Sequence, residues 1–211
     1  MDFVNLFVPQ KQLEVETMNK NILLCGVGGQ GTVLASKVLA GAAIEKGYEV
    51  KTTETIGMAQ RGGCVVSHVR MGEAVHSPII PYGKADIILG FEPAEVVRNL
   101  KYLKEDGIVV VSEKAIKPVT VSLSGSAYEG KHMLTYLKQQ VKNVYIVDGE
   151  KICEECGSEK VLNVALLGTL LSLHTLPVER EALLQVMLRK LPEKLHAMNL
   201  HAFQLGEAYG K

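Results

Sequence analysis

The sequence predicts an α/β protein with a Rossmann-like layered fold, in which a mostly parallel sheet is followed by a C-terminal helical region. Three observations support this prediction. Between residues 21 and 147, short apolar runs typical of strands alternate with segments of helical periodicity. From Gly149 onward the periodicity is helical only. The first apolar run, Asn21–Cys25, breaks into a glycine-rich turn that opens a helix.

In the first half of the chain, this periodicity defines four strands and two helices. The predicted strands are Asn21–Cys25, Tyr48–Thr53, Cys64–Met71 and Ala85–Gly90, and the predicted helices are Thr32–Lys46 and Glu92–Leu103. Ala85–Gly90 is almost continuously apolar, which is typical of a parallel strand covered on both faces. After Gly72 we expect a hairpin-like return of the chain toward Pro78.

The second half completes the sheet and then becomes helical. The predicted elements are the strands Ile108–Val111, Pro118–Leu123 (an edge strand) and Val144–Val147, and the helices His132–Gln140, Gly149–Cys156, Lys160–His174, Glu179–Leu191 and Pro192–Tyr209. Lys160–His174 is apolar nearly all round, so we expect it to be buried. Its polar side chains Asn163 and Thr169 then need hydrogen-bond partners.

Composition sets the class of protein. The chain has 211 residues, of which 47% are hydrophobic, and its formal net charge is zero. We expect an N-terminal extension at residues 1–18 and a single domain at 19–211. A neutral chain is a poor candidate for binding nucleic acid. No stretch reaches the ~18 apolar residues of a membrane span, and the start lacks a signal-peptide pattern, so we expect no membrane association and a cytoplasmic location.

The four cysteines do not predict a metal site. Cys25 and Cys64 lie on predicted strands, and we expect both thiols to be buried. Cys153 and Cys156 form a C-x-x-C on a predicted helix, but a structural zinc site usually needs a second ligand pair, which the sequence lacks. We therefore interpret them as two helix thiols and predict no metal.

The glycine turn is the first candidate site. Gly26, Gly28 and Gly31 have the G-x-G-x-x-G spacing of a dinucleotide-binding turn, with Gly29 and Gln30 between them. Glycine permits close backbone approach, and a helix that begins after such a turn presents free N–H groups to an anion. Spacing alone leaves open whether the turn binds a nucleotide, another anion or a partner, or serves only packing.

A second glycine-rich loop is the other candidate. It follows Glu54, which stands near the place where a dinucleotide-binding fold has its ribose carboxylate, and it carries Gln60, Arg61, Gly62 and Gly63. Arg61 can form a forked pair with a carboxylate or phosphate, and Gln60 can add an amide contact. The alternative is a surface arginine paired with Glu54. The sequence has no H-E-x-x-H, no Walker lysine and no G-x-S-x-G, so it lacks the parts of a self-sufficient enzyme.

Both loops belong to a longer series of motifs. These are Gly26-x-Gly28-Gly29-Gln30-Gly31, Glu54 with Gly57, Ala59-Gln60-Arg61-Gly62-Gly63-x-Val65-x-Ser67-x-Val69-Arg70, Ser77-Pro78, Gly83-x-Ala85-Asp86, Glu92-Pro93-x-Glu95, Asn163 with Leu167-Gly168, and Asn199 to Gly206. From Lys20 to Gly206 the chain resembles the gamma subunit or domain of the 2-oxoacid:ferredoxin (flavodoxin) oxidoreductases. A free-standing unit of this length without ferredoxin cysteines is most similar to the beta subunits of the indolepyruvate enzymes.

This resemblance implies a non-autonomous subunit of a complex that oxidatively decarboxylates a 2-oxo acid, such as indolepyruvate or pyruvate, to an acyl-CoA and passes electrons to ferredoxin. It implies that thiamine diphosphate, Mg²⁺ and 4Fe-4S clusters lie on a large alpha subunit, that CoA is a co-substrate, and that this chain binds no cofactor tightly. The residues expected at the interface or the CoA approach are Gly26, Gly28, Gly29, Gln30, Gly31, Glu54, Gly62 and Gly63, with Gln60 and Arg61 in support. An isolated subunit can also self-associate through the surface meant for its partner.

Two other interpretations follow from the residues alone. One is a stand-alone NAD(P)-dependent oxidoreductase that uses Gly26, Gly28, Gly31 and Glu54. The other is a nucleotide-sensing regulatory module without chemistry. Binding of NADH by the isolated chain would favour the first of these two over the redox-complex subunit.

Overall fold

The computed structural model describes residues 19–57, 63–116 and 129–210, which form a six-stranded sheet with helices on both faces. The strands are β1 (Lys20–Val27), β2 (Glu49–Ile56), β3 (Cys64–Gly72), β4 (Ala85–Gly90), β5 (Leu103–Ser112) and β6 (Asn143–Val147). The helices are α1 (Thr32–Glu45), α2 (Pro93–Asn99), α3 (Gly130–Gln140), α4 (Gly149–Cys156), α5 (Leu162–Ser172), α6 (Arg180–Lys190) and α7 (His196–Glu207). The predicted edge strand Pro118–Leu123 lies outside the described residues.

The sheet has the strand order β2-β3-β1-β4-β5-β6. β1, β4, β5 and β6 pair in parallel, whereas β3 is antiparallel to both of its neighbours, β1 and β2. The predicted α/β fold with a mostly parallel sheet and a C-terminal helical region is therefore confirmed. Between β1 and β4 the strand order reverses, and open α/β sheets bind their ligands in the crevice at this point, beyond the carboxyl ends of the strands.

Alternate residues of the central strand β1 enter two apolar layers, one on each face of the sheet. Ile22 and Leu24 pack in the layer that contains α1 and the C-terminal helices α5, α6 and α7. Leu23 and Cys25 pack in the layer that contains α2 and α3. All four side chains are fully buried. The glycine turn that follows β1 is therefore anchored on a strand whose middle residues are fully buried.

Helix α2 is shorter than the sequence predicts. It ends at Asn99, and β5 begins at Leu103, well before the predicted strand Ile108–Val111. Tyr102, in the 3₁₀ turn between them, stands edge-on against the ring of His68 with the ring centroids 5.4 Å apart. His68 belongs to β3, which is distant from Tyr102 in the sequence. The local helical periodicity of residues 92–103 therefore could not reveal this contact.

The predicted hairpin-like return after Gly72 is wrong. Residues 73–84 are all described, and they contain no strand. A side chain holds this segment instead, because Arg70 Nη1 donates to the carbonyl oxygens of Ser77 and Ile79 at 2.9 and 3.3 Å. Backbone carbonyls that are satisfied by a guanidinium group do not need a strand partner.

Two C-terminal helices, α5 and α7, pack unusually closely. A Cβ atom on Gly206 would lie 1.9 Å from the carbonyl oxygen of Ala165, and one on Gly168 would lie 2.2 Å from that of Phe203. Thr169 Oγ1 donates to the carbonyl oxygen of Gly206 at 2.8 Å, which supplies the partner that this buried hydroxyl needs. Only glycine permits this approach of the two backbones.

We predict that Gly206→Ala destabilises the protein by about 1–3 kcal/mol, because the added methyl group must push two packed backbones apart. The measurement is urea unfolding followed by circular dichroism. Gln204→Ala is the matched control, since Gln204 is exposed on the same helix and should change the free energy of unfolding by less than about 0.5 kcal/mol. Equal effects of the two substitutions would contradict the packing described.

Candidate functional site

The glycine turn lies at the centre of the carboxyl edge of the sheet, between the end of β1 and the start of α1. Gly29 and Gly31 have φ values of 102° and 82°, in the left-handed region that favours glycine. Gly31 is the N-cap of α1 and no side chain caps this helix. The first turn of α1 therefore presents backbone N–H groups and the positive end of the helix dipole at the edge of the sheet.

Gln30 fills the crevice at the point where the strand order reverses. Its Oε1 accepts from the backbone N–H of Val27 at 2.8 Å, at the end of β1. Its Nε2 donates to the carbonyl oxygen of Phe91 at 2.9 Å, just after β4. One carboxamide therefore bridges the carboxyl ends of the two central strands. Open α/β sheets that bind a dinucleotide do so at this crevice, which here holds the Gln30 side chain.

Two of the glycines are needed to seat neighbouring side chains. A Cβ atom on Gly26 would lie 2.7 Å from Gln30 Oε1 and 2.7 Å from the Cβ atom of Phe91. A Cβ atom on Gly31 would lie 2.6 Å from Nδ2 of Asn163, which is buried at the start of α5. The glycine spacing therefore has a packing role in this turn, in addition to any role toward a ligand.

Glu54 does not occupy the place of a ribose carboxylate. It lies within β2, which the structure extends to Ile56, rather than after the end of the strand. The antiparallel strand β3 separates β2 from β1, so Glu54 stands two strands away from the glycine turn. Its carboxylate is 3.2 Å from the hydroxyl of Ser36 on α1. The sequence could not reveal the insertion of β3, because strand order is a property of long-range pairing.

The second glycine-rich loop begins and ends beside the first. Gly57 N–H donates to the carbonyl oxygen of Cys64 at 2.8 Å, which closes the base of the loop. Gly28 N–H donates to the carbonyl oxygen of Gly63 at 2.8 Å, which ties the two loops together. The candidate residues Gln60, Arg61 and Gly62 lie outside the described residues.

Buried carboxylates, which the sequence showed only as a motif, lie next to this pair of loops. Glu92 caps α2 by accepting from the backbone N–H of Glu95 at 3.0 Å, and both residues are buried. The Glu95 carboxylate pairs with Arg98.

The two thiols near these loops have raised pKa values. Partial burial and the Glu95 carboxylate raise the pKa of the Cys64 thiol to about 12, and burial raises the pKa of the Cys25 thiol well above its usual range. Both thiols therefore stay protonated at neutral pH.

The cysteines follow the predictions in part. Cys25 is buried as predicted, but Cys64 is exposed, because it lies at the very start of β3, beside the second loop. Cys153 and Cys156 lie on helix α4 as predicted, the first buried and the second partly exposed. Within the described ranges, no three His, Cys, Asp or Glu side chains come together as a metal site.

A cleft of about 420 Å³, which we call the outer cleft, lies against the glycine turn, and the outer face of the turn is the part that lines it. Its lining residues come from three parts of the chain and are Gly28, Gly29, Gln30, Lys114, Ile116, Ser158, Glu159, Lys160 and Leu162. Lys114 follows β5 and pairs with Glu159 at 2.6 Å, which raises the pKa of the lysine. Lys114 and Lys160 bring two positive charges to the cleft and Glu159 brings one negative charge, and α1 begins just after the glycine turn that lines it, so the balance of charge favours an anion. Sequence reasoning missed both lysines, since neither lies in a glycine motif.

Among the helices that the structure describes, none combines the length and apolar character that crossing a membrane would require.

Comparison with known proteins assigns the family. Residues 21–209 match the family described as pyruvate ferredoxin/flavodoxin oxidoreductase. The indolepyruvate oxidoreductase subunit IorB of Thermococcus kodakarensis is 38% identical over 191 residues, which cover 88% of this chain and 93% of that protein. The common gamma subunit of the pyruvate/ketoisovalerate oxidoreductases of Pyrococcus abyssi is 30% identical over 145 residues, which cover 68% of this chain and 71% of that one.

Two solved structures share the fold. The gamma subunit of a keto/oxoacid ferredoxin oxidoreductase from Geobacter sulfurreducens has a TM-score of 0.66 at 24% identity, covering 90% of this chain and 98% of that one. A 2-oxoglutarate:ferredoxin oxidoreductase from Magnetococcus marinus, solved with 2-oxoglutarate, coenzyme A and succinyl-CoA bound, has a TM-score of 0.70 at 21% identity. That match covers 91% of this chain but 31% of the other, which is a longer polypeptide.

We predict that the isolated chain shows no saturable binding of NADH up to about 1 mM. The reason is that Gln30 bridges the crevice, and Glu54 lies on β2, two strands away from β1, with its carboxylate at Ser36. The measurement is a titration followed by NADH fluorescence and by calorimetry. Saturable binding with a dissociation constant below about 1 mM would contradict this prediction and restore the interpretation as an NAD(P)-dependent enzyme.

Proposed function

Because the chain belongs to the pyruvate ferredoxin/flavodoxin oxidoreductase family, we propose that it is the smaller, non-autonomous subunit of an indolepyruvate:ferredoxin oxidoreductase. The complex would oxidatively decarboxylate an aryl pyruvate to an acyl-CoA and pass the electrons to ferredoxin. The observation that supports this choice of substrate is the match to the indolepyruvate subunit. It extends over nearly the whole of both chains at 38% identity, whereas the match to the pyruvate/ketoisovalerate subunit is shorter and weaker.

The cofactors belong, in this proposal, to a large alpha subunit. Thiamine diphosphate with Mg²⁺ would supply the nucleophilic carbon for decarboxylation there, and 4Fe-4S clusters would carry the electrons to ferredoxin. The four cysteines of this chain do not fit a cluster, because two lie on β1 and β3 and two on α4. All four are free thiols, in keeping with the reducing cytoplasm that the proposal assumes.

This chain would contribute one surface to the reaction, at the carboxyl edge of its sheet. We define this carboxyl-edge surface as the glycine turn, the ends of the second loop at Gly57 and Gly63, and the cleft with Lys114 and Lys160. Donors at the start of α1 and two lysine side chains suit the phosphate groups of CoA. The second loop, tied to Gly28, would meet the subunit that carries the cofactors. The chain would thus position the acyl acceptor while its partner performs the carbon chemistry.

The competing interpretations have less support. A dinucleotide enzyme needs an open crevice and a carboxylate that binds the ribose. In this structure Gln30 lies in the crevice, and Glu54 lies two strands away from the glycine turn. A nucleotide-sensing module needs the same crevice. Neither interpretation accounts for the match to oxidoreductase subunits along the chain.

We expect co-expression with the large subunit to yield a brown complex that reduces viologen dye when supplied with indolepyruvate and CoA. The specificity constant for indolepyruvate should exceed that for pyruvate by at least about tenfold, which is the effect of about 1.4 kcal/mol of differential binding. The chain alone and the complex without CoA are the controls, and both should be inactive. Failure of the two chains to associate, or a preference for pyruvate, would contradict the proposal.

We predict that Arg61→Ala lowers turnover of the complex by about 10- to 100-fold, since a guanidinium group can form a forked pair with a carboxylate or phosphate of the substrates. Steady-state kinetics with CoA as the varied substrate measure the effect, and the melting temperature of the isolated subunit should stay unchanged. Arg189→Ala, which removes an exposed arginine paired with Glu45 on the far end of α1, is the control. Unchanged turnover together with an unchanged KM for CoA would remove Arg61 from the site.

A further inference from the structure

The carboxamide of Gln30 stands at a position where other α/β sheets hold a ligand. β1 and β4 are neighbouring parallel strands in the middle of the sheet, with α1 packed on one face and α2 on the other. The crevice between their carboxyl ends is the common ligand position of such sheets. Here the protein fills the crevice with its own side chain, which satisfies an N–H group on one side and a carbonyl oxygen on the other.

The surroundings leave this side chain little freedom. Gly26 has no side chain, and a Cβ atom there would lie 2.7 Å from Gln30 Oε1. Phe91 is fully buried, and its own N–H donates to the carbonyl oxygen of Cys25 at 2.8 Å. Each end of the carboxamide therefore binds backbone that is itself held by the sheet, so the orientation of the amide group is determined by both strands.

The bridge acts on groups that Gln30 does not touch. Val27, which Gln30 binds, is the last residue of β1 and comes just before Gly28, whose N–H holds the carbonyl oxygen of Gly63. Phe91, its other partner, comes just before Glu92, the cap of α2. The two hydrogen bonds of Gln30 therefore connect the glycine turn, the end of the second loop and the start of α2, and we call this connection the tether.

We propose that Gln30 is a positioning residue, which ties the glycine turn to the end of β4 and thereby holds Gly28 and the outer face of the turn in a single arrangement toward the anionic co-substrate. Its side chain occupies the crevice between the strand ends and also lines the outer cleft with Lys114 and Lys160, where the proposed function has the co-substrate bind. The role of the outer face rests on the proposed function, whereas the tether itself is a property of the chain alone.

Two variants test the tether in the isolated chain, with amide hydrogen exchange of Gly28 followed by NMR. Gln30→Ala removes both hydrogen bonds, and we expect the exchange of Gly28 to rise at least tenfold relative to the unsubstituted protein. Gln30→Glu keeps the shape but loses the donor when it is ionised. The protonated carboxyl group can again donate to Phe91 and accept from Val27, so exchange should be near the unsubstituted value at acidic pH and rise as the group ionises.

The pH dependence separates positioning from simple packing, because a role in filling space would not depend on a proton. Gln140→Glu, at an exposed glutamine on α3, is the matched control and should leave Gly28 unchanged at every pH. Where Gln30→Ala fails to fold, the pH response of Gln30→Glu decides alone. An unchanged exchange rate of Gly28, or a Gln30→Glu variant whose exchange relative to the unsubstituted protein does not change with pH, would overturn the proposal.

Kinetics of the complex with the large subunit test the effect of Gln30 on catalysis. Gln30→Ala should raise the KM for CoA about tenfold while kcat at saturating CoA stays within about twofold, since positioning of the co-substrate is lost and the chemistry on the partner is not. Equal losses in kcat and kcat/KM would contradict a positioning role. If the unsubstituted complex has no activity with any 2-oxo acid, the proposed function fails, and the exchange of Gly28 still decides the role of Gln30.

Discussion

One carboxamide between two strand ends organises the carboxyl edge of this protein. Gln30 joins β1 to β4 through hydrogen bonds of 2.8 and 2.9 Å, in the middle of the sheet, where these two neighbouring parallel strands lead to helices on opposite faces. Gly26 is required because any side chain there would displace this amide. A motif with the spacing of a nucleotide site is therefore built, in this chain, around an internal hydrogen-bonded bridge.

The second constraint is the antiparallel strand β3. By pairing between β1 and β2, it moves Glu54 away from the glycine turn and brings Gly63 onto Gly28. The carboxyl edge of the sheet therefore carries two glycine-rich loops that are joined by a hydrogen bond, together with a cleft that favours an anion. In the proposed function, this surface presents the co-substrate to a cofactor held by another chain.

The sequence predicted most of the fold but only part of the site. Strong local signals placed β1, α1 and β4, because buried strands and helix starts have distinctive patterns. After the early end of α2, Tyr102 meets His68 on β3, and Cys64 is exposed at the start of β3, so both features involve parts of the chain that local patterns do not report. Lys114 and Lys160 reach the cleft from distant segments. The motif series resembled the family because it combined residues from many parts of the chain, from Gly26 to Gly206.

The most direct test of this account is amide hydrogen exchange of the chain, alone and in complex with its large partner subunit. We expect the complex to protect the start of α1, from Thr32 to Leu34, and the edge at Gly63 and Cys64, because this surface is proposed to meet the partner. The amino edge of the sheet, around Tyr82, should exchange as it does in the free chain. Protection confined to the amino edge, with an unchanged carboxyl edge, would contradict the central claim that the glycine turn faces the partner.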